Sequence, residues 1–375
     1  MSRVLHSGEF RLGAASRFSA EVSESLNHQR AECFKELVTL AAERSVDFLL
    51  LSGNLFGSSQ PAPCWIDLVE TRLRQLQQQG VAVALLPGWC EEPVGPGSVY
   101  QRPFFRPLVV EPVTFAGRPR QFRGRTGDLW LYALPWTTRL TGQRLLPRAP
   151  SEQAGSHWVV LPDAGSREQV PADALLTALL RAGFDQIALG GRQRAVWTTA
   201  QGRLDSPSLP SMAVEPVLAV CPGTPQGQDF CESGPCYCAE LECTAEGVLL
   251  SWHPLACARF ASRQLSLAAD LYPTAGDAPD DSPYLQLCLT GILDAPLPRA
   301  LRVAWSDGRT LLEWLDRTQL SASATEELLN SHSEALSLHL LRHWQRWAQQ
   351  CPAEQSQAVL RELLQRFDLA EGVAP

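Results

Sequence analysis

Val46-Asp47-Phe48-Leu49-Leu50-Leu51-Ser52-Gly53-Asn54-Leu55-Phe56-Gly57 is a largely apolar run that stops on serine and glycine. Such a run, bounded by turn formers, reads as a strand buried on both faces, the habit of central strands in parallel sheets. The flanking residues repeat the pattern. Val4-Leu5-His6 opens a short strand and Leu12-Gly13 turns out of it. Residues 19–44 carry Phe34, Leu37, Val38 and Ala41 at helical spacing, and a second helix covers 64–79. Val81 to Leu86 forms another buried strand, ending at Pro87-Gly88. This order predicts an α/β sheet with right-handed crossovers. Sites in such sheets gather at the carboxyl ends of strands, so loops 8–13, 52–57 and 87–92 should converge.

Further along, Leu129 to Leu134, Trp158 to Leu161 and Gln186 to Leu189 read as strands, and Ala172 to Ala182 as a helix. Residues 214–265 read as paired strands, with alternation in Cys238 to Leu241 and Val248 to Trp252. Tyr272 to Pro283 is rich in Pro, Asp and Gly and reads as a linker. The expected division is a first domain over 1–268, a linker over 269–283, a small cap-like α+β domain over 284–320 and a helical tail over 321–375. In the tail, Ser323-Ala324-Thr325-Glu326 fits a capping box. Leu328, Ala335, Leu338, Trp344 and Trp347 give one apolar face, and a second helix spans 353–367.

Composition excludes some classes. A 45% hydrophobic fraction with 11 Trp fills a real core, which excludes disorder. A net charge of -8 excludes a general polyanion binder, so contact with nucleic acid would need a local basic patch or a basic partner. No apolar run is long enough to span a bilayer, and Met1-Ser2-Arg3-Val4 leads into a strand rather than a signal-peptide core. With 11 scattered Cys, this predicts a reduced, cytoplasmic protein. Cys221, Cys231, Cys236, Cys238 and Cys243 crowd together but lack the paired spacing of a zinc site, and strand thiols are the expected reading.

The loops resemble those of the calcineurin-like metallophosphoesterases, specifically the SbcD/YhaO-type DNA repair exonucleases. The stretches that carry the resemblance are Leu5-His6-Ser7-Gly8-Glu9-Phe10-Arg11-Leu12-Gly13, Gly53-Asn54-Leu55-Phe56-Gly57, Pro87-Gly88-Trp89-Cys90-Glu91 and Ala188-Leu189-Gly190-Gly191-Arg192-Gln193. Cys221-Pro222-Gly223-Thr224-Pro225-Gln226-Gly227-Gln228 resembles a proline-glycine-x-x-glutamine-glycine segment of the YhaO branch. The resemblance covers roughly 3–265 and implies a sandwich of two mixed sheets flanked by helices. It also implies metal-dependent phosphodiester hydrolysis on two Mn or Mg ions.

The chemistry departs from the pattern. The positions that would ligate metal fall on Glu9, Arg11, Asn54, Trp89, Pro162, Gly191 and Gln193. A two-metal centre holds cations ~3.5–4 Å apart on carboxylate, imidazole and amide ligands. Arg11 has no lone pair to give and is itself a cation, Pro162 and Gly191 have no donor atoms, and Trp89 offers only an N–H. Cys90 stands where a histidine would lie near the scissile phosphate, and Glu91 follows it. Of the seven His, none falls on a ligand position: His6, His28, His157 and His253 lie elsewhere, and His332, His339 and His343 share a face in the tail. The turn residues Gly13, Gly53, Gly88 and Gly190 are kept. This predicts a catalytically inactive chain with no metal.

Two outcomes are open for the vacated pocket. Arg11, Arg192 and Arg194 could hold a phosphate or DNA backbone without hydrolysing it. Alternatively, they pair with Glu9, Glu91 and Asp163 and plug it. In the resembled family, the segment after the small domain docks on an SMC-type ATPase (SbcC, or YhaN for the YhaO branch). Leu338, Leu341, Trp344 and Trp347 are the candidates for such a contact, with DNA reached through that partner and a homodimer also expected. The other readings are a divergent phosphoesterase with a rebuilt site and a stand-alone phosphate or DNA binder.

Overall fold

The structure is a computed structural model. It describes residues 2–88, 90–91, 95, 97–110, 119–133, 154–161, 181–190, 195–199, 202–205, 217–232, 235–255, 260–267, 273–276, 284–293, 310–321, 323, 325 and 335–366. The chain divides into two compact units, Met1–Ala258 and Arg259–Pro375.

In the first unit, β1 (Ser2–Ser7), β2 (Phe48–Ser52) and β3 (Ala82–Leu86) pair in parallel, with β2 central. All five residues of β2 are buried, as its apolar run requires. A hairpin of β11 (Tyr237–Thr244) and β12 (Gly247–Pro254) adds antiparallel to β1, giving the order β12-β11-β1-β2-β3. The second sheet has the order β4-β5-β6-β7-β10-β8-β9. Its parallel middle is β5 (Asp128–Ala133), β6 (Ser156–Leu161), β7 (Gln186–Leu189) and β10 (Val217–Cys221). β4 (Arg120–Arg123), β8 (Val196–Thr199) and β9 (Gly202–Asp205) pair antiparallel at its margins.

Alternation along each strand divides its side chains between two cores. Val4, Phe48, Leu50, Ala84 and Leu86 share one apolar cluster with Leu129, Leu131, Trp158, Val160 and Val220 of the other sheet. Leu5, Leu49, Leu51, Val83 and Leu85 face the opposite way, into a cluster with two helices. These are α1 (Ala20–Glu43), capped by the Ser19 hydroxyl, and α2 (Pro63–Gln78), which starts on a proline. Leu26, Phe34, Leu37 and Ala41 of α1, and Ile66, Val69, Leu73 and Leu76 of α2, form the buried stripes.

The second unit departs from the sequence reading. The strand over 260–267 belongs here, not with the first domain: β13 (Phe260–Leu267) pairs in parallel with β15 (Tyr284–Leu293), and β15 with β16 (Thr310–Leu320). Within the expected linker, β14 (Pro273–Gly276) pairs antiparallel on the outer side of β13. Proline is tolerated as the first residue of an edge strand, which is why a proline-led stretch still joins the sheet. Two helices follow, α3 (Ala335–Ala348) and α4 (Ala353–Arg366). The expected helix over 172–182 and the capping box lie largely outside the described residues. No helix among the described residues is long and apolar enough to cross a membrane.

Candidate functional site

The loops leaving β1, β2 and β3 converge as expected, and backbone bonds hold them together. Arg11 N donates to Asn54 O at 2.9 Å, Leu12 N to Leu55 O at 3.0 Å and Gly57 N to Leu12 O at 2.9 Å. Side chains complete the frame. Buried Glu91 accepts from Phe56 N at 2.7 Å, from Gly88 N at 2.9 Å and from the Tyr100 hydroxyl. Burial pushes its carboxyl up to about 8, against those three donors, and the same burial, with Glu91 beside it, pushes the Tyr100 hydroxyl up.

Arg11 lies in the middle of this frame. Its Nη2 is 2.7 Å from Glu9 Oε1 and its Nη1 donates to Gln228 Oε1 at 2.9 Å. Burial would lower its guanidinium, but Glu9 and Glu232 outweigh that and hold it above the ordinary value. Its backbone sits at φ 52°, a left-handed conformation rare for arginine, and the bond to Asn54 O holds it there. The other Glu9 oxygen takes the Asn54 amide at 2.6 Å, and Asn54 Oδ1 takes Cys90 N at 2.9 Å. Behind Gln228, Glu232 accepts from Gln228 N at 2.9 Å and from the Thr224 hydroxyl at 3.2 Å. Burial and the charge of Glu9 push Glu232 up to about 7. Arg30, almost wholly buried, donates to Asn27 Oδ1 at 2.8 Å and Ala14 O at 3.1 Å. Burial and the neighbouring Arg11 lower its guanidinium to about 10.

The donor set does not fit a two-cation centre. A guanidinium lies at hydrogen-bond distance from the Glu9 oxygen that a cation would need, and both ends of the Asn54 amide are bonded. Space is also taken. A Cβ on Gly8 would lie 2.0 Å from the carbonyl oxygen of Gly223, so the 222–228 segment rests directly on the first loop. A Cβ on Gly57 would lie 2.5 Å from Ala14 Cα, so this turn has no room for a carboxylate side chain. Among the described residues, no three His, Cys, Asp or Glu are placed to share an ion.

The predicted residues fare differently. Glu9, Arg11, Asn54, Cys90 and Glu91 come together, and Arg11 takes the plugging role on Glu9. Glu91 is not an arginine partner; it is spent on Tyr100 and two backbone amides. Trp89, Pro162, Asp163, Gly191, Arg192, Gln193 and Arg194 lie outside the described residues. Sequence reasoning missed Arg30, Tyr100, Gln228 and Glu232. Gln228 closes the segment that carries the YhaO resemblance, and that was the available signal.

In the tail, Trp344 does not stay exposed: it is buried, and its indole N–H donates to Ser356 O at 2.6 Å. Trp347 is 37% exposed. Leu338, Leu341, His332 and His339 have side chains outside the described residues, and His343 is exposed. Cys221, Cys236 and Cys238 are buried thiols, and burial pushes Cys238 up.

No protein-family model and no curated protein matches the chain. Among solved structures, TT1561 of Thermus thermophilus is 10% identical over 63% of this chain and 93% of that one, with a TM-score of 0.33. GAP50, the anchor in the inner membrane complex of Plasmodium, is 10% identical over 68% and 84%, with a TM-score of 0.37. Vps29 of Chaetomium thermophilum is 10% identical over 68% and 86%, with a TM-score of 0.30. TT1561 and Vps29 have calcineurin-like metallophosphoesterase folds. At these TM-scores the likeness carries no argument about function.

Proposed function

We propose that the chain is a catalytically inactive relative of the SbcD/YhaO-type exonucleases, built on the calcineurin-like sandwich, and that it serves as a scaffold. The observation that supports this is Arg11. Its fixed positive charge pairs with Glu9 where a metal ion would be needed, so the loops are neutralised internally rather than by cations. Without an ion, none of the described residues of this loop cluster would lower the pKa of a water.

The partner proposed is a YhaN/SbcC-like ATPase, through which DNA would be reached. Exposed Trp347, Ile292 and Val359 of the second unit support a docking role there, while buried Trp344 serves the helix pair itself. The test is metal analysis of the purified chain together with turnover of a simple phosphodiester in Mn. The expected result is substoichiometric metal and no chelator-sensitive turnover. Stoichiometric Mn with turnover lost on chelation overturns the reading. Copurification of the ATPase, weakened by Trp347→Asp, tests the scaffold role.

A further inference from the structure

The net charge of the chain is -8, yet α3 carries no acidic residue. Its 14 residues include Arg342 and Arg346 with His339 and His343, a local reversal of sign. Arg342 and Arg346 are four residues apart, as are His343 and Trp347, so each pair lies along one line of the helix surface. At 100° per residue the four positions cover about 140° of that surface. Arg342, His343 and Arg346 are exposed, and Trp347 is 37% exposed.

These charges are not spent inside the protein. Neither the Arg342 nor the His343 side chain has a hydrogen-bond or ion-pair partner among the described residues. Arg346 reaches only the carbonyl of Arg342, at 3.4 Å, within its own helix. The orientation of the face is fixed from behind, where buried Trp344 donates to Ser356 O of α4 at 2.6 Å. The acidic positions of α4, Glu354 and Glu362, stand two and six residues from Ser356. That places them about 200° and 240° around α4 from the residue that meets α3.

We propose that this face of α3 holds a single strand of nucleic acid, with phosphates on Arg342 and Arg346 and a base on Trp347. Guanidiniums bond phosphate oxygens in pairs, and an exposed indole beside them supplies the flat surface on which an unpaired base stacks. A membrane surface takes an amphipathic helix by its apolar side, and that side of α3 is occupied by α4. Phosphate and base-face contacts carry little sequence information, so the strand is held without regard to its bases. This goes beyond the scaffold reading, in which DNA is reached through the ATPase. Trp347 also serves the docking contact of that reading, so the two arginines, which it does not use, carry the test.

The test is fluorescence anisotropy of labelled oligo-dT and oligo-U, each of about 20 nucleotides, titrated with the full chain at low and raised salt. Saturable binding is expected at low salt, with a Kd below about 100 μM and within about threefold for the two strands. Two phosphate contacts contribute about -1.4 to the slope of log K against log salt. Arg342→Gln with Arg346→Gln should remove that contribution and weaken binding about tenfold or more. Trp347→Ala should weaken both strands about fivefold or more while leaving the salt slope and duplex binding unchanged. Arg102→Gln with Arg106→Gln, an exposed pair of the same spacing in the first unit, should change nothing. No saturable strand binding, or equal loss in the two double variants, overturns the site. Equal loss of duplex binding in Trp347→Ala overturns the strand as occupant. So does binding of phosphatidylserine vesicles or a poly-glutamate peptide where the strands do not bind.

Discussion

The two ends of β3 carry arginine in opposite circumstances. At its carboxyl end, Arg11 is enclosed by Glu9, Gln228 and Glu232, so its charge is spent inside the protein. At its amino end, Arg74, Arg120 and Arg123 line a groove, with Arg74 bonded to Glu70, Arg120 to the carbonyls of Val109 and Pro107, and Arg123 exposed. The difference shows that an arginine in a cleft is not by itself an anion site. What decides is whether a carboxylate of the chain reaches it first. At the carboxyl end that carboxylate is Glu9, two residues away in the chain.

The largest effect should come from breaking the enclosed pair. Glu9→Ala leaves Arg11 and the Asn54 amide without their common partner, and urea denaturation should show a loss of about 3 kcal/mol, at the low end of the range for a buried pair because Arg11 is partly exposed. Gly8→Ala tests the closure of the same site. Its Cβ would press on the Gly223 carbonyl, and a loss of about 2–3 kcal/mol is expected in the same measurement.

The next effect is on pH. Glu91 and Glu232 are raised, to about 8 and about 7, above the ordinary carboxyl value of 4.5. Groups raised in the folded state contribute stability that is fully present below 4.5 and is lost as pH climbs through 7 and 8. Stability should therefore fall between pH 5 and 9, and Glu91→Gln should flatten that limb. The smallest effect is at the other end of the strand: Arg123→Glu, on an exposed side chain, should change stability by less than about 0.5 kcal/mol in the same denaturation measurement.

Much of the first unit is legible in the sequence because its strands are buried on two faces. A run such as Phe48 to Ser52 leaves little choice of element, and the glycines that follow mark where it ends. The convergence of the three loops then follows from topology. The second unit is less legible for a physical reason. β13 finds its parallel partner across an intervening segment, and periodicity says nothing about which strand a strand will pair with. The same holds for side chains. That Arg11 could pair with Glu9, two residues away, is visible as an alternative, whereas Gln228 reaches it across 217 positions. The stripe on α3 is legible as apolar, but the sequence does not say that α4 covers Trp344 through Ser356 and leaves Trp347 outside.

The most direct measurement is a crystal structure of the chain soaked in Mn, with anomalous data collected at the Mn edge. The account predicts no Mn peak at the ends of β1–β3, with Arg11 Nη2 still at about 2.7 Å from Glu9 Oε1. Two Mn peaks there, with Glu9 as a ligand and Arg11 swung away, would contradict it.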